Sequence, residues 1–253
     1  MQALTKDVKL VLLDVGNTLL FVDYPYLARA AQSVGARLSA RAIRQAEAHA
    51  RVEVDRVVQG TDCGTDASRW RQYYKTMLTG AGLEDGLFDR LEPILRRRHD
   101  ETGLWILVRP WTKPVLARLR EAGYRLAVVS NADGRVESWL RKKGMARHFD
   151  AILDSRVVGI EKPDPRIFEM ALDRTGFAPH QAIHVGDLYS VDVLGARKAG
   201  VTPILLDPLG LHPASDCLKI RRLSELLRML PGTHDLRPGR RHKEAATREG
   251  TPP

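Results

Sequence analysis

The stretch that decides the fold is Ala182 to Leu206, AIHVGDLYSVDVLGARKAGVTPILL. Ala182 to Val185 is a short apolar run that stops at Gly186-Asp187, as a buried strand entering a loop does. From Val191 to Ala199 the apolar residues fall at helical spacing, and Gly200 closes that helix. Thr202 to Leu206 is a second apolar run. A strand, a helix and a strand inside 25 residues form one βαβ unit, whose strands must run parallel.

The same rhythm extends towards the N-terminus. A helix is expected from Pro114 to Ala122, closed by Gly123, then a strand from Arg125 to Val129 ending at Ser130-Asn131. A helix from Arg135 to Lys143 closed by Gly144 follows, then a strand from Phe149 to Leu153. Pro165 to Thr175 carries proline at its start and Gly176 after its end, the usual asymmetry of a helix. The predicted class is α/β: a Rossmann-like parallel sheet core with helices on both faces.

Val8 to Leu13 is one further strand, ending at Asp14 and the turn-forming Gly16-Asn17. Between it and the next strand, no comparable run occurs from Tyr24 to His99. Apolar residues recur there at three and four spacings, as in Leu87, Leu91, Ile94 and Leu95. An α-helical insert over 21–104 is predicted, interrupted by a polar loop from Gln59 to Asp66. The core is then 1–20 with 105–230, ending in a short helix at Leu223 to Leu230. Residues 231–253 are polar and rich in Gly, Pro and Arg, and are expected to be a disordered basic tail.

Composition removes several classes. Of 253 residues, 43% are hydrophobic and 28% charged, as in ordinary globular chains. No apolar stretch reaches the roughly 20 residues of a membrane span. The N-terminal residues hold no apolar signal core. Cys63 and Cys217 are too few for a disulfide framework or a four-ligand zinc site, and the expected compartment is a reducing cytoplasm. The net charge is +9. Its arginines are interleaved with acids, and the runs Arg96-Arg97-Arg98 and Arg240-Arg241 lack aromatic neighbours, so a solvated basic surface is favoured over nucleic-acid binding. Oligomeric state is left open.

In an open parallel sheet, ligands bind beyond the carboxyl ends of the strands. The polar groups placed there are Asp14, Ser130, Asn131 and Asp187, with Asp192 a few residues on. The segment Gly159 to Pro165 adds Lys162 before a helix. Their chemistries are mutually compatible. Asp14 and Asp187 offer oxygen ligands to Mg²⁺, and Asp192 a carboxylate behind them. Lys162 would neutralise a carboxylate or a phosphate oxygen. Ser130 and the backbone N–H groups after Asp14 would hold other phosphate oxygens.

The segments LLDVGNTLL (12–20), VVSNAD (128–133), GIEKPDPRIF (159–168) and HVGDLYSVDVLGARKAG (184–200) resemble, in this order, the haloacid dehalogenase-like hydrolases. The resemblance runs over about 7–230, and the insert after the first segment is similar to the subfamily with a helical cap there. Most of that family are Mg²⁺-dependent phosphatases. The resemblance implies Asp14 as nucleophile, forming an aspartyl-phosphate, and Lys162 as the cation steadying it. It implies Ser130 as the phosphate-binding hydroxyl, with Asn131 beside it facing the site. It implies Asp14, Asp187 and the Gly16 carbonyl around the metal, with Asp192 behind. A small phosphorylated metabolite is the implied substrate.

One departure stands out. Gly16 occupies the position where the family's phosphatases carry an Asp that protonates the leaving group. A glycine cannot transfer that proton, a step typically worth about 10²–10⁴ in rate. Three alternatives follow: a low-activity or non-catalytic member that binds a phosphorylated ligand or a partner protein, a dehalogenase, or a phosphonatase. The phosphonatase would need a lysine in the insert, and Lys75 is the only one, expected on a helix surface. His184 is expected to be a satisfied core histidine. His49 and His99 are expected at the surface, and Asp23 and Tyr24 are candidates for substrate contact. Trp70, Trp105, Trp111 and Trp139 are spaced too irregularly for a stacking platform and are expected to be half-buried anchors.

Overall fold

The structure, a computed structural model, describes residues 7–60, 66–214 and 216–233. In chain order it contains β1 (Leu10–Leu13), β2 (Phe21–Val22), α1 (Tyr24–Ser33), α2 (Ala40–Gly60), α3 (Asp66–Gly80), α4 (Leu87–Thr102) and β3 (Trp105–Leu107). Next come α5 (Thr112–Glu121), β4 (Arg125–Ser130), α6 (Val136–Lys142), β5 (Ala151–Asp154), α7 (Ser155–Val158), α8 (Pro165–Thr175) and β6 (Ala182–Gly186). The chain continues through α9 (Leu194–Lys198), β7 (Thr202–Leu206), β8 (Leu218–Ile220) and α10 (Leu226–Met229).

Six strands form one sheet in the order β5-β4-β1-β6-β7-β8, with every pairing parallel. The strand order reverses at β1, whose Leu12 pairs with Ala127 on one side and His184 on the other. Such a reversal opens a crevice at the carboxyl edge, where Asp14 begins the loop after β1. The strands read as unbroken apolar runs because both faces are covered. Leu10 and Leu12 pack with Phe168 on one face, and Val11 and Leu13 with Val115 and Leu116 on the other.

Helices α1 to α4 bury a separate apolar cluster that includes Leu27, Ile43, Tyr74, Met77, Leu91 and Leu95. In α4 the buried Phe88, Leu91 and Leu95 lie at three- and four-residue spacing, which places them on one face. An antiparallel ribbon of β2 and β3 joins the entry of this helical block to its exit.

Several expectations need correction. The polar loop expected at Gln59–Asp66 is narrower: Gln59 and Gly60 end α2, Asp66 begins α3, and 61–65 lie outside the described residues. β2, β3 and β8 were not expected, being too short to show a period. The helix expected from Val191 begins earlier, as a π-helical turn at Tyr189–Val193 leading into α9. The expected tail does not begin at residue 231. Tyr124 Oη donates to the Pro231 carbonyl at 2.8 Å, and the buried Thr233 donates to the Leu230 carbonyl at 2.8 Å. Residues 234–253 lie outside the described residues.

Candidate active site

The loops that leave β1, β4 and β6, with the segment before α8, bring five expected residues around one cavity of about 210 Å³. Asp14, Ser130, Lys162, Asp187 and Asp192 all line it, and so do Gly16 and Asn131. Lys162 is at the centre. Its side chain is 2% exposed, and Nζ donates to Asp14 Oδ1 at 2.7 Å and to Asp192 Oδ1 at 2.6 Å. Asp192 Oδ1 also meets His184 Nε2 at 2.9 Å, while Oδ2 accepts from the Leu188 N–H at 3.0 Å.

Charge balance follows from these contacts. Burial pushes the Asp192 carboxyl up, but Lys162 and His184 outweigh it and hold the group well below the usual carboxylate range. Burial likewise works against charged Lys162, and the two carboxylates outweigh it, keeping the ammonium protonated beyond its ordinary range. Asp14 is raised, because burial exceeds the pull of Lys162. Asp187 is raised well above normal by burial, with the charges of Asp14 and Asp192 adding to it and Arg51 opposing.

The surroundings assign Asn131 and Asp192 more specific tasks than expected. The Asn131 side chain clasps the backbone of Lys162: Oδ1 accepts from its N–H at 2.8 Å and Nδ2 donates to its carbonyl at 2.9 Å. Asn131 thereby positions the lysine. Asp192 is spent on Lys162, His184 and the 188 N–H, so of these three acids Asp14 and Asp187 are the ones placed to meet a cation, with Asp187 Oδ2 shared with Asn17 and Arg51. Among the described residues no group of three or more His, Cys, Asp or Glu side chains is arranged to hold a metal. His184 is buried in β6 as expected, yet only half satisfied. Its Nε2 belongs to the site, and Nδ1 has no hydrogen-bond partner.

Gly186 permits this packing. A Cβ there would lie 2.1 Å from Asp192 Cγ, a distance no side chain tolerates. Gly16 differs. It needs no left-handed backbone, and a Cβ there would meet nothing nearer than Trp105 Nε1 at 3.8 Å.

Residues that were not anticipated come from the helical block. Arg51 of α2 is buried and pairs with Glu47 at 2.7 Å and with Asp187 at 3.5 Å. Tyr73 of α3 donates to Glu47 at 3.0 Å and accepts from Asn17 Nδ2 at 3.1 Å. Asn17 Nδ2 also donates to Asp187 Oδ2 at 3.2 Å. A second tie runs from α2: Asp55 accepts from the Tyr189 and Ser190 N–H groups at 3.1 and 2.7 Å and meets His212 Nε2 at 2.8 Å. Arg51 and Glu47 are four apart on α2, but no local pattern signals the contacts of Arg51 and Asn17 with Asp187 or of Asp55 with Tyr189, Ser190 and His212, whose partners lie more than a hundred residues apart.

The aromatic residues also depart from expectation. Trp70, Trp105 and Trp139 lie half-buried, as expected, but share one wall of the cavity with Tyr73 and His99. Tyr73 stacks on Trp105 with centroids 5.9 Å apart, and His99 bridges Trp105 and Trp139 at 6.0 and 6.5 Å. They arise from α3, α4, β3 and α6, so sequence spacing conveys nothing about their meeting. Only Trp111, of the four tryptophans, is exposed. His99 is therefore not a surface residue; its Nε2 lies 3.3 Å from Asp133. Asp23 caps α1 through the Tyr26 N–H at 3.0 Å and Tyr24 is buried in the helical cluster; neither lines the cavity. His49 and Lys75 are exposed, as expected. No helix among the described residues is long and apolar enough to cross a membrane.

Comparison with known proteins agrees with this geometry. The family model described as haloacid dehalogenase-like hydrolase matches residues 8–200. The cattle "Haloacid dehalogenase-like hydrolase domain-containing protein 3" is 31% identical, over 82% of this chain and 86% of its own length. A "Phosphoserine phosphatase" of Thermus thermophilus is 42% identical, over 46% of this chain and 49% of its own. The chain spans about half the length of most of the curated relatives it matches. The crystal structure of a "HAD phosphatase" from Thermococcus onnurineus aligns over 92% of this chain and 99% of its own, with TM-score 0.57 and 26% identity. One of "a Dehalogenase" aligns over 90% and 99%, with TM-score 0.62 and 27% identity. With the model match over most of the chain and the cattle relative along most of both, this chain belongs to the haloacid dehalogenase-like hydrolases.

Proposed function

We propose that the protein is a Mg²⁺-dependent phosphatase of the cytoplasm, acting on a small phosphorylated metabolite through an aspartyl-phosphate on Asp14. The observation that carries this reading is the buried Lys162 ammonium shared between Asp14 and Asp192 at 2.7 and 2.6 Å. It keeps one carboxylate oriented at a strand end beside the cavity, as a nucleophile must be. The phosphatase names of the relatives support the same chemistry.

The donor set suits Mg²⁺. Asp14 and Asp187 are hard oxygen donors on neighbouring strand ends, burial and then the charges of Asp14 and Asp192 raise Asp187, and Mg²⁺ characteristically takes one or two carboxylates plus substrate oxygens. Asp14, Asp187 and the Gly16 carbonyl would hold it. When bound, it would offset charge on the phosphoryl oxygens.

The chain's own residues do the rest. A carboxylate oxygen of Asp14 attacks phosphorus. Lys162 opposes the burial that raises the Asp14 carboxyl and holds it in place. The Ser130 hydroxyl at the end of β4 donates to a phosphoryl oxygen, and Asn131 fixes the Lys162 backbone. The helical block 21–104 serves as a cap: Arg51, Tyr73 and Asp55 tie it over the crevice and exclude bulk water.

The test is phosphate release from a panel of phosphorylated metabolites, with Mg²⁺ and with EDTA, for wild type and Asp14→Asn. Release that needs Mg²⁺ and vanishes in the variant supports the reading. Release that persists in Asp14→Asn overturns it. A second reading, hydrolytic dehalogenation, draws on Gly16 and the largely apolar cavity; halide release from 2-haloacids without phosphate release would favour it. Ligand binding with no turnover of either kind would favour the non-catalytic alternative.

A further inference from the structure

The cavity and the residue at position 16 constrain the substrate from two directions. The first is the leaving group. Gly16 provides no proton donor, and nothing in the fold demands a glycine there, because the backbone is not left-handed and a Cβ would fit. The nearest polar group is Trp105 Nε1, 3.8 Å from the place of that Cβ, buried and with no hydrogen-bond partner. An indole N–H donates a hydrogen bond but gives up no proton near neutral pH. It can stabilise charge on a departing oxygen without protonating it. An alcohol, with a pKa near water's ~15.7, leaves badly as an anion. A phenol, like the tyrosine hydroxyl at ~10, leaves far more readily.

The second constraint is the shape and chemistry of the walls. Trp70, Tyr73, His99, Trp105 and Trp139 face a cavity of about 210 Å³. An apolar cavity of about 150 Å³ holds a benzene ring. The Trp70 indole N–H is also buried without a partner. The walls therefore present stacking faces and donors, suited to a flat ring bearing acceptor substituents.

From these two observations we infer that the site is selective for small aryl phosphates, the phosphate monoesters of phenols, over alkyl phosphates. The inference rests on the phosphoryl-transfer reading above. An oxygen of the Asp14 carboxylate bonds to phosphorus, and the bond from phosphorus to the phenolic oxygen breaks. Its electron pair leaves on the phenolate, which takes a proton from solvent after release. Water then adds to phosphorus, the acyl-phosphate bond breaks, and its electron pair returns to the Asp14 carboxylate. One proton of that water passes to solvent and inorganic phosphate departs.

The experiment measures kcat/KM for phenyl phosphates of graded phenol acidity, beside propyl phosphate, in wild type, Gly16→Asp, Gly16→Ala and Trp105→Phe, each checked for folding by thermal melting. In wild type the rate should fall steeply as the phenol becomes less acidic, with propyl phosphate at least about 10²-fold poorer than phenyl phosphate. Gly16→Asp should flatten that dependence and raise propyl phosphate hydrolysis about 10²-fold, whereas Gly16→Ala keeps it steep. Trp105→Phe retains the ring, loses the N–H, and should steepen the dependence further. Propyl phosphate within about tenfold of phenyl phosphate in wild type, or the same dependence in wild type and in a folded Gly16→Asp, would sink the inference while leaving the phosphatase reading intact. Should Gly16→Asp not fold, an unaltered dependence in Trp105→Phe does the same. No phosphate from any ester overturns the phosphatase reading itself, and this one with it.

Discussion

The guanidinium of Arg51 lies 3.5 Å from the carboxylate of Asp187, although 136 residues separate them in the chain. Arg51 sits on α2 of the helical block and Asp187 follows β6 of the sheet. Both side chains are buried. The same arginine is held from behind by Glu47, which Tyr73 also hydrogen-bonds. The block therefore closes on the sheet through a charged contact placed at one of the two carboxylates available to a cation.

With Mg²⁺ held as proposed, Arg51 and the cation would compete for one carboxylate. Removing one partner of a buried pair costs about 3–5 kcal/mol, because the other charge is left uncompensated. Arg51→Met should thus melt lower than wild type in EDTA. A cation that binds only the folded protein restores stability by mass action. The rise in Tm on adding Mg²⁺ should accordingly be larger in Arg51→Met than in wild type. An equal rise in both proteins would show that the arginine does not contend for the site.

Lys162 carries the largest electrostatic consequence. Its folded pKa lies above the unfolded value near 10.4, so its stabilisation is complete below about pH 10 and is lost as pH rises through the folded value. Asp192 is shifted down, so its contribution is present above about pH 4 and is lost as pH falls through its folded value. Lys162 and Asp192 should both stabilise the fold from about pH 4 to 10, whereas Asp14, raised by burial, opposes them as pH rises through its folded value. Lys162→Met should cost about 3–5 kcal/mol in urea unfolding at pH 7. The difference from wild type should narrow as pH falls from 7, because the orphaned carboxylates, raised by burial, take up protons above their ordinary range. A gap that stays constant on acidification would contradict this account.

Gly186 and Gly16 form a matched pair for packing. A Cβ at Gly186 would sit 2.1 Å from Asp192 Cγ, forcing that carboxylate off Lys162 and His184. Overpacking of this kind costs about 1–3 kcal/mol or more. A Cβ at Gly16 meets only ordinary van der Waals contacts. Denaturation midpoints should therefore drop markedly for Gly186→Ala and much less for Gly16→Ala. Equal drops would contradict the geometry.

What was legible in the sequence follows from locality. α8 and β7 lie at the predicted Pro165–Thr175 and Thr202–Leu206, because a helix and a buried strand each impose a period on adjacent residues. Asp14, Ser130 and Asp187 were found because polar residues at the ends of apolar runs mark the carboxyl edge of a parallel sheet. β2, with two residues, and β8, with three, are too short to repeat anything. The aromatic wall escaped notice because its rings come from four elements. His184 looked like core because it sits inside an apolar strand; only the fold reveals that Asp192 turns back to meet it.

The carboxyl end of α4 is tied to the loop after β4. His99 Nε2 lies 3.3 Å from Asp133 Oδ2, Arg135 pairs with the same carboxylate at 2.5 Å, and Arg135 also donates to the carbonyls of His99 and Asp100 at 2.8 and 2.7 Å. Burial alone would raise the Asp133 carboxyl, but the hydrogen bonds from His99 and Arg135 prevail and hold it below the usual range. Its contribution should be present above about pH 4 and be lost as pH falls further. Asp133→Asn keeps the shape and removes the charge, a loss of about 1 kcal/mol for a charged hydrogen bond partly exposed to solvent. Amide exchange at the carboxyl end of α4, around 99–104, should speed up about fivefold at pH 7, since 1 kcal/mol is that factor in an opening equilibrium. Exchange elsewhere, in β1 and β6, should stay as in wild type. Unchanged protection of 99–104 would mean that the Asp133 carboxylate does not hold down this end of α4.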